Sequence, residues 1–331
     1  MSLFPWQQQS WDHLLHYRAQ NRIPQALLIT GNKGLGKQHL ARQFAVSLLC
    51  EKPQDDGFGC GQCASCLLFK AETHPDFIQI KPDEPGKAIN IAQIRSLVTR
   101  LTLKPQFASY RVVIVNPADF MNNAAANAFL KCLEEPTERT VILLITDRPA
   151  RLPATIVSRC QKLAVAKPGR ETVLAWLQQQ NTRIGPGQLG IVFDLAQGSP
   201  LLALDYANED TLALRNDCFK AWVDIAKHRR HPALVAEDWH KLPDYPLFFW
   251  ITSWIIDTIK CRCSIKAEGL YNPDLKKTLQ ELSRQLELKE LYALYDLMLV
   301  SRQRLNTQIN KHALFEEILI KWFELNPSTR L

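Results

Sequence analysis

The sequence contains no apolar run that approaches the roughly 20 residues of a membrane-spanning helix. No basic segment followed by an apolar segment stands at its start, so we expect no secretory signal. Short-period repeats and low-complexity tracts are also missing, and 46% hydrophobic with 22% charged residues is an ordinary globular composition that argues against long disorder. We therefore expect a cytoplasmic globular protein, with two or three domains in a chain of 331 residues.

Charge is unevenly distributed along the chain. The 40 Lys and Arg residues outnumber the 33 Asp and Glu residues, which gives a net charge of +7. Up to Val165 there are 19 basic and 13 acidic residues, whereas the remainder is nearly balanced. Contacts with a polyanion should therefore favour the first half, although charge alone is equally compatible with an ordinary solvated surface.

The first half alternates short apolar runs with segments of helical length, which is typical of a parallel sheet with crossover helices. The runs that we predict to be strands are Ala26–Ile29, Phe77–Ile80, Val112–Val115, Val141–Ile145 and Lys162–Val165. Those at 112–115 and 141–145 are apolar at every position, as expected for strands covered on both faces. A helix is predicted from Asn122 to Glu135, ended by Pro136.

After Pro168 the pattern becomes helical. Short helices are predicted at 171–180 and before Gly198, and from about Tyr206 apolar residues recur at helical spacing to the end of the chain. We predict three domains: an α/β domain at 1–166, a small helical domain at 167–206 and a helical bundle at 207–331.

A phosphate-binding loop is predicted directly after the first strand. Residues 31–37 read GNKGLGK and precede a helical pattern, which is the strand–loop–helix setting of a P-loop. In such a loop Gly31, Gly34 and Gly36 let backbone N–H groups curl around phosphate oxygens. Lys37 would reach the outer phosphates.

The groups that would hold magnesium beside this loop are replaced. Gln38 stands where a P-loop has a Ser or Thr hydroxyl. Asn116 and Pro117 follow the third predicted strand, where a metal-binding Asp and a water-orienting acid are expected. We interpret the site as a nucleotide fold that no longer hydrolyses. Two hypotheses stay open: the loop still holds a phosphate through Lys37, or it is a retained structural turn.

Four cysteines within 17 residues, between the first helix and the second strand, are spaced as C-x9-C-x2-C-x2-C: Cys50, Cys60, Cys63 and Cys66. Cytosolic thiols stay reduced, so a disulfide framework is not expected. Four thiolates at this spacing favour a closed tetrahedral Zn²⁺ site with a structural role, against free thiols or a redox pair. His74 is interpreted as a turn or packing residue, and the other five cysteines as packing residues.

Two longer motifs, together with these features, resemble the clamp-loader branch of the AAA+ ATPases. Residues 127–136 (NAFLKCLEEP) resemble the NALLKTLEEP helix of that branch, and residues 152–160 (LPATIVSRC) resemble its LPxTIxSRC segment. The resemblance implies an α/β AAA+ P-loop domain with a parallel sheet and an inserted zinc module at 50–66. A helical lid domain and an all-α C-terminal collar domain for oligomerisation would follow.

The resemblance also implies roles for single residues. Arg159 corresponds to the arginine that reaches across a subunit boundary to the ATP of a neighbour, and a guanidinium supplied in trans ties hydrolysis to assembly. A surface salt-bridge residue is the alternative for Arg159 on spacing alone. Thr146 corresponds to the first sensor near the γ-phosphate. The second-sensor arginine expected after the Gly-Ser pair at 198–199 is missing, since Pro200 follows.

The function implied by the resemblance is that of a non-hydrolysing subunit in the clamp loader of bacterial DNA polymerase III, a DNA-directed DNA polymerase assembly. Implied partners are ATPase subunits of the gamma/tau type, a delta-type subunit, the sliding clamp indirectly, and primed DNA through its phosphates; no membrane is implied. One alternative is an ATP-hydrolysing AAA+ subunit, which would need Mg²⁺-dependent turnover despite Gln38 and Asn116. Another is a zinc-dependent nucleic-acid-binding protein, in which Lys52 and Lys70 beside the cysteines would contact DNA.

Overall fold

The structure, a computed structural model, describes residues 3–84, 86–102, 104–107, 110–135, 137–180, 182–263, 269–305 and 310–326. Pro136, the predicted helix end, lies outside these residues. The chain divides into two units: one runs up to Trp176 and includes Ser199–Leu201, and the other comprises Leu177–Gly198 and the chain from Leu202 onward. The boundaries expected at 166 and 206 stay a prediction.

A five-stranded parallel sheet forms the centre of the first unit. Its strands are β1 (Ala26–Thr30), β2 (Phe77–Ile80), β3 (Arg111–Val115), β4 (Thr140–Thr146) and β5 (Gln161–Ala164). They lie in the order β2-β3-β4-β1-β5, and every neighbouring pair is parallel. The five predicted strands are thereby confirmed. The two that are apolar throughout, β3 and β4, are buried along their whole length, because both of their faces are covered.

Helices connect and cover these strands. They are α1 (Gln8–Ala19), α2 (Lys37–Leu49), α3 (Ala64–Lys70), α4 (Ile91–Leu101), α5 (Asn123–Glu134), α6 (Ala154–Val157) and α7 (Arg170–Gln179). Asn122 begins α5 as predicted, because its side chain accepts a hydrogen bond from the otherwise unpaired backbone N–H of Ala125. Phe129 of α5 is fully buried in a core with Val113 of β3 and Ile142 of β4. This packing fixes the position of α5 against the sheet.

The second unit is helical. Its helices are the remainder of α7, then α8 (Pro186–Leu195), α9 (Pro200–Asn208, of which the first two residues belong to the first unit), α10 (Thr211–Ala226), α11 (Pro232–Trp239), α12 (Asp244–Arg262), α13 (Lys276–Ser283), α14 (Leu288–Arg304) and α15 (Lys311–Leu325). The rings of Trp222 and Trp322 stack with centroids 4.2 Å apart, and the indole N–H of Trp322 donates to the carbonyl of Trp222. Within the described ranges no helix has both the length and the apolar character required to cross a membrane.

Candidate nucleotide site, arginine and cysteine cluster

The predicted phosphate loop follows β1 and leads into α2. Gly31, Gly34 and Gly36 have φ angles of +143°, +77° and +73°, a region that residues with a Cβ rarely adopt. A Cβ on Gly31 would lie 2.7 Å from the backbone oxygen of Val165. The loop therefore has the backbone conformation that its glycine spacing predicts.

Lys37 is turned into the protein. It is only 5% exposed, and its ammonium donates to the carbonyl oxygens of Gly31 at 2.7 Å and Asn32 at 2.6 Å and to the Asp147 carboxylate at 2.5 Å. An ammonium has three N–H donors. All three are thus directed at groups of the chain itself, and the positive charge is paired with Asp147.

The two residues at the magnesium-binding positions bond to each other. The Asn116 amide donates to the side-chain oxygen of Gln38 at 3.0 Å. Both groups are neutral, whereas Mg²⁺ is held in such sites by a hydroxyl and a carboxylate. This amide pair joins the start of α2 to the end of β3 without a metal ligand of the usual kind.

Thr146, the predicted first sensor, lies at the end of β4, which pairs with β1 so that Thr146 is beside Thr30. The sheet therefore brings it close to the phosphate loop. Its hydroxyl donates to Asp119 at 2.8 Å and accepts the backbone N–H of Arg148 at 2.9 Å, and the residue is 1% exposed. The Arg148 guanidinium also contacts Asp119, at 3.1 Å. The hydroxyl is thus engaged in an internal network.

The segment at 4–7 covers the outer side of the loop. The indole N–H of Trp6 donates to the Leu35 carbonyl at 2.9 Å, and the Gln7 amide donates to the Gly36 carbonyl at 2.8 Å. The ring of Phe4 stacks on Trp6. A Cβ on Gly36 would lie 2.6 Å from the Phe4 ring. These contacts hold the loop backbone from outside.

The residues after the Gly-Ser pair also contact the loop. The backbone N–H of Leu201, in the first turn of α9, donates to the Gly34 carbonyl at 3.2 Å. The chain thus makes a backbone contact with the phosphate loop close to the position where the second-sensor arginine would stand.

Arg159 lies near the amino ends of β1 and β5, whereas the loop follows the carboxyl end of β1. It follows α6, precedes β5, and lines a cavity of about 260 Å³ with Ala26, the first residue of β1, and Gln161, the first of β5. Its side chain is 38% exposed, and its guanidinium donates to the Thr155 carbonyl at 2.9 Å and forms an ion pair with Glu134 at 2.9 Å. Arg159 is thus separate from the predicted residues of the phosphate loop.

The four cysteines converge as the spacing predicts. The sulfur atoms of Cys50, Cys60, Cys63 and Cys66 all lie within 4.8 Å of one another, and none is in a disulfide. A tetrahedral zinc with bonds of ~2.3 Å separates its sulfurs by about 3.8 Å, and Cys50 and Cys63 are 3.9 Å apart. Backbone N–H groups of Cys60, Cys63 and Cys66 each donate to a cluster sulfur. The cluster could hold a metal ion with all four positions filled by protein.

The thiols of the cluster differ in acidity. Backbone N–H groups of Gln62 and Cys63 lower the pKa of Cys60 to about 6, because they stabilise the thiolate. Burial raises the pKa of Cys50 and Cys66. Cys60 is therefore more readily ionised to bind a cation than Cys50 or Cys66.

His74 is a packing residue, as its sequence context predicts. It is buried, its Nδ1 accepts the backbone N–H of Asp76, and its Nε2 hydrogen-bonds Ser65. Burial lowers its pKa. Both ring nitrogens are occupied away from the cysteine sulfurs.

Three predicted site residues each contact an acidic residue that the sequence analysis did not single out. Asp147 pairs with Lys37, Asp119 binds Thr146, and Glu134 binds Arg159. A signal was available for Asp147, since it directly follows the end of β4. The strand order was required to recognise it, because β4 is adjacent to β1 only in the folded sheet.

Comparison with known proteins places both parts of the chain in the same class. The family described as "DNA polymerase III, delta subunit" matches residues 6–169, and "DNA polymerase III, delta subunit, C terminal" matches residues 209–324. The DNA polymerase III subunit delta' of Pseudomonas aeruginosa is 34% identical over 98% of this chain and 98% of that protein. The subunit delta' of Escherichia coli is 29% identical over 97% of this chain and 95% of that protein. A DNA polymerase III gamma subunit-related protein of Thermotoga maritima is similar with a TM-score of 0.46 and 18% identity, over 96% of this chain and 100% of that one.

The parallel sheet domain and the helical second unit each match a delta-subunit family model, so the chain is a DNA polymerase III subunit of the delta class. The chain belongs to the family of DNA polymerase III delta' subunits.

Proposed function

We propose that this clamp-loader subunit does not hydrolyse ATP itself and contributes Arg159 to the ATP site of a neighbouring subunit. The observation that carries the first part is the hydrogen bond between Asn116 and Gln38, the two residues at the magnesium-binding positions. Two neutral amides that satisfy each other leave no hydroxyl or carboxylate for the ion. The pairing of Lys37 with Asp147 supports the same conclusion.

The position of Arg159 supports an action in trans. Arg159 lines a cavity with Ala26 at the beginning of β1, whereas the phosphate loop begins after Thr30 at its end. A strand of this length separates its two ends by about 13 Å. Arg159 is also partly exposed, as a group that must contact another subunit has to be. A guanidinium is suited to the charge that develops on phosphate.

Zinc is the metal that we propose for the cysteine cluster. Four cysteine sulfurs within 4.8 Å of one another suit Zn²⁺ and would fill all four of its coordination positions, so the ion would be structural. We further propose a cytoplasmic location, gamma/tau-type and delta-type subunits as partners, and primed DNA bound through its phosphates. The basic excess of the first half supports weak, salt-sensitive DNA binding.

The test of the hydrolysis proposal uses the purified chain alone. We expect no Mg²⁺-dependent phosphate release above background, because Gln38 and Asn116 stand where the hydroxyl and carboxylate ligands of the ion are expected. Release at an ordinary metal-stimulated rate, by protein free of contaminating ATPases, would contradict the proposal.

The test of the arginine proposal uses the reconstituted loader. Arg159→Ala should reduce ATP turnover at the adjoining site on the order of 10³-fold while assembly persists. Turnover is measured in a single-turnover assay and assembly by size-exclusion chromatography. Arg151→Ala is the matched control, because Arg151 is an exposed arginine of the same segment and its loss removes the same charge. Equal turnover in the two variants would reject the role of Arg159.

A further inference from the structure

The Arg159 side chain is held at two of its nitrogen atoms. Its Nη1 donates to the carbonyl oxygen of Thr155, and its Nη2 lies 2.9 Å from the Glu134 carboxylate. Both ends of the ion pair are partly exposed, at 38% for Arg159 and 48% for Glu134. The guanidinium is therefore oriented while it still faces solvent.

The backbone on both sides of Arg159 is anchored. Its N–H donates to the carbonyl of Ile156, which is fully buried, and the next residue, Cys160, is buried as well. The freedom that remains to Arg159 lies in its side chain. An arginine side chain has many accessible rotamers, so a partner that selects one rotamer affects where the charge is found.

Glu134 is the last residue of α5, a position that disfavours an acid. The carboxyl end of a helix carries a partial negative charge, and an acidic side chain there is ordinarily unfavourable. The Arg159 guanidinium compensates this charge directly. Glu134 departs from the preference of a helix end for basic residues, so helix stability does not explain it. Its ion pair with Arg159 does.

The geometry leaves donors for a second anion. A guanidinium has five N–H groups in a fixed plane, and the contacts with Thr155 and Glu134 use two of them. One N–H on each of the three nitrogens remains. Arg159 can therefore keep both contacts within the chain while it binds a phosphate oxygen of the ATP that another subunit holds.

We propose that Glu134 is a positioning residue for Arg159: its carboxylate holds the guanidinium in the orientation in which Arg159 meets the neighbour's ATP. The proposal rests on the proposed function of Arg159. It assigns to Glu134 no contact with ATP. Glu134 reduces the number of orientations that Arg159 must abandon when the transition state forms.

The experiment compares variants in the reconstituted loader under single-turnover conditions. Glu134→Ala should lower the rate constant of the adjoining site about fivefold, because the freed guanidinium populates several rotamers. The KM for ATP should be unchanged, since ATP is bound by the neighbour. Glu134→Gln should retain most of the rate, because the amide oxygen can accept the same N–H of Arg159.

The controls separate positioning from a structural role. Glu135→Ala removes an adjacent exposed carboxylate and should leave the rate unchanged. Arg159→Ala combined with Glu134→Ala should be no slower than Arg159→Ala alone, because a positioning residue has no effect once its partner is gone. A further loss in the double variant would show that Glu134 acts through the fold and would overturn the proposal.

The outcomes also separate this proposal from the function on which it rests. If Arg159→Ala leaves turnover intact, the trans role of Arg159 fails, whatever Glu134 does. If Arg159→Ala abolishes turnover and Glu134→Ala leaves it unchanged or raises it, only the positioning role is rejected.

Discussion

The loop at 31–37 has the backbone of a phosphate loop, but its lysine, Lys37, hydrogen-bonds within the chain. The glycines retain their positive φ angles, but the lysine donates to two loop carbonyls and to Asp147. A phosphate would have to displace a carboxylate from a lysine that is almost fully buried. Such an exchange gives up the ion pair with Asp147 and strains the two carbonyl contacts of Lys37, which competes with phosphate binding.

Gly36 provides a test of the cover formed by residues 4–7. Gly36→Ala should destabilise the protein, because φ is +73° and the new Cβ would lie 2.6 Å from the Phe4 ring. Gly61 has the same φ of +73° and nothing within 4 Å of its Cβ position, so Gly61→Ala is the matched control for backbone strain alone. We expect the left-handed conformation to lower the free energy of unfolding of both variants by about 1 kcal/mol. The overlap with Phe4 should lower that of Gly36→Ala by a further ~1–3 kcal/mol.

The measurement for these two variants is the free energy of unfolding in denaturant. The Phe4 ring cannot easily move aside, since it stacks on Trp6 and meets Trp176 edge-on. Equal losses in the two variants would mean that the 4–7 segment leaves the loop readily.

The residues of the phosphate loop and the cysteine cluster could be predicted because their spacing along the chain reflects their geometry. Glycines at 31, 34 and 36 are required by local φ angles, and the C-x2-C steps bring sulfurs together within a few residues. The partners Asp147 and Asp119 could not be predicted this way. Asp147 is 110 residues from Lys37, and their contact depends on the sheet order.

At the level of elements, α1 connects the cysteine module to the sheet domain. The indole N–H of Trp11 donates to the carbonyl of Asp56 at 3.1 Å, and its ring stacks on Phe58 at 4.7 Å. Asp56 and Phe58 belong to the turn segment between Cys50 and Cys60. Trp11 is therefore a natural reporter for the order of the module.

Removal of the metal should disorder the module. Structural zinc contributes on the order of 10 kcal/mol in isolated zinc peptides, and the segment at 50–66 has few buried apolar side chains of its own. With zinc in the cluster as proposed, a chelator, or Cys60→Ser, should release the ion, increase hydrogen exchange at 50–66 and shift the Trp11 emission to longer wavelength. Zinc content is measured by mass spectrometry.

Two control variants accompany that measurement. Cys263→Ser alters an exposed cysteine outside the cluster and should retain the zinc. Trp11→Phe identifies the emission of Trp11 among the 8 tryptophans of the chain. Protein that is isolated without zinc and is nevertheless protected from exchange at 50–66 would refute the assignment.

The elements themselves were predictable to within one or two residues where burial imposes a pattern. A strand covered on both faces must be apolar throughout, as β3 and β4 are. The polar contacts of the second unit were not predictable. Arg215 is 1% exposed and pairs with Asp274 and Asn272, which are 59 and 57 residues away. Its sequence neighbours give no indication of that pairing.

For the whole molecule, the proposed lack of hydrolysis should not be reversible by the metal ligands alone. Gln38→Thr combined with Asn116→Asp restores a hydroxyl and a carboxylate, yet Lys37 stays paired with Asp147 and Thr146 stays bound to Asp119. We expect this double variant to release no phosphate above background. Adding Asp147→Asn should allow nucleotide to bind, because it removes the charge that competes for Lys37.

Fluorescent-nucleotide titration and phosphate release distinguish these outcomes. Asp147→Asn alone is the control, since it frees Lys37 without restoring a metal site. Hydrolysis by the double variant with Asp147 intact would show that the internal pairing of Lys37 is no obstacle.

The ion pair of Lys37 and Asp147 has a consequence for the loader as a machine. A subunit whose loop is satisfied by its own carboxylate would be indifferent to the cellular ratio of ATP to ADP. The hydrogen bonds and the ion pair of this loop would then be the same whichever nucleotide the neighbouring subunits hold. This subunit would then be the fixed member of the loader, against which the nucleotide-binding subunits move.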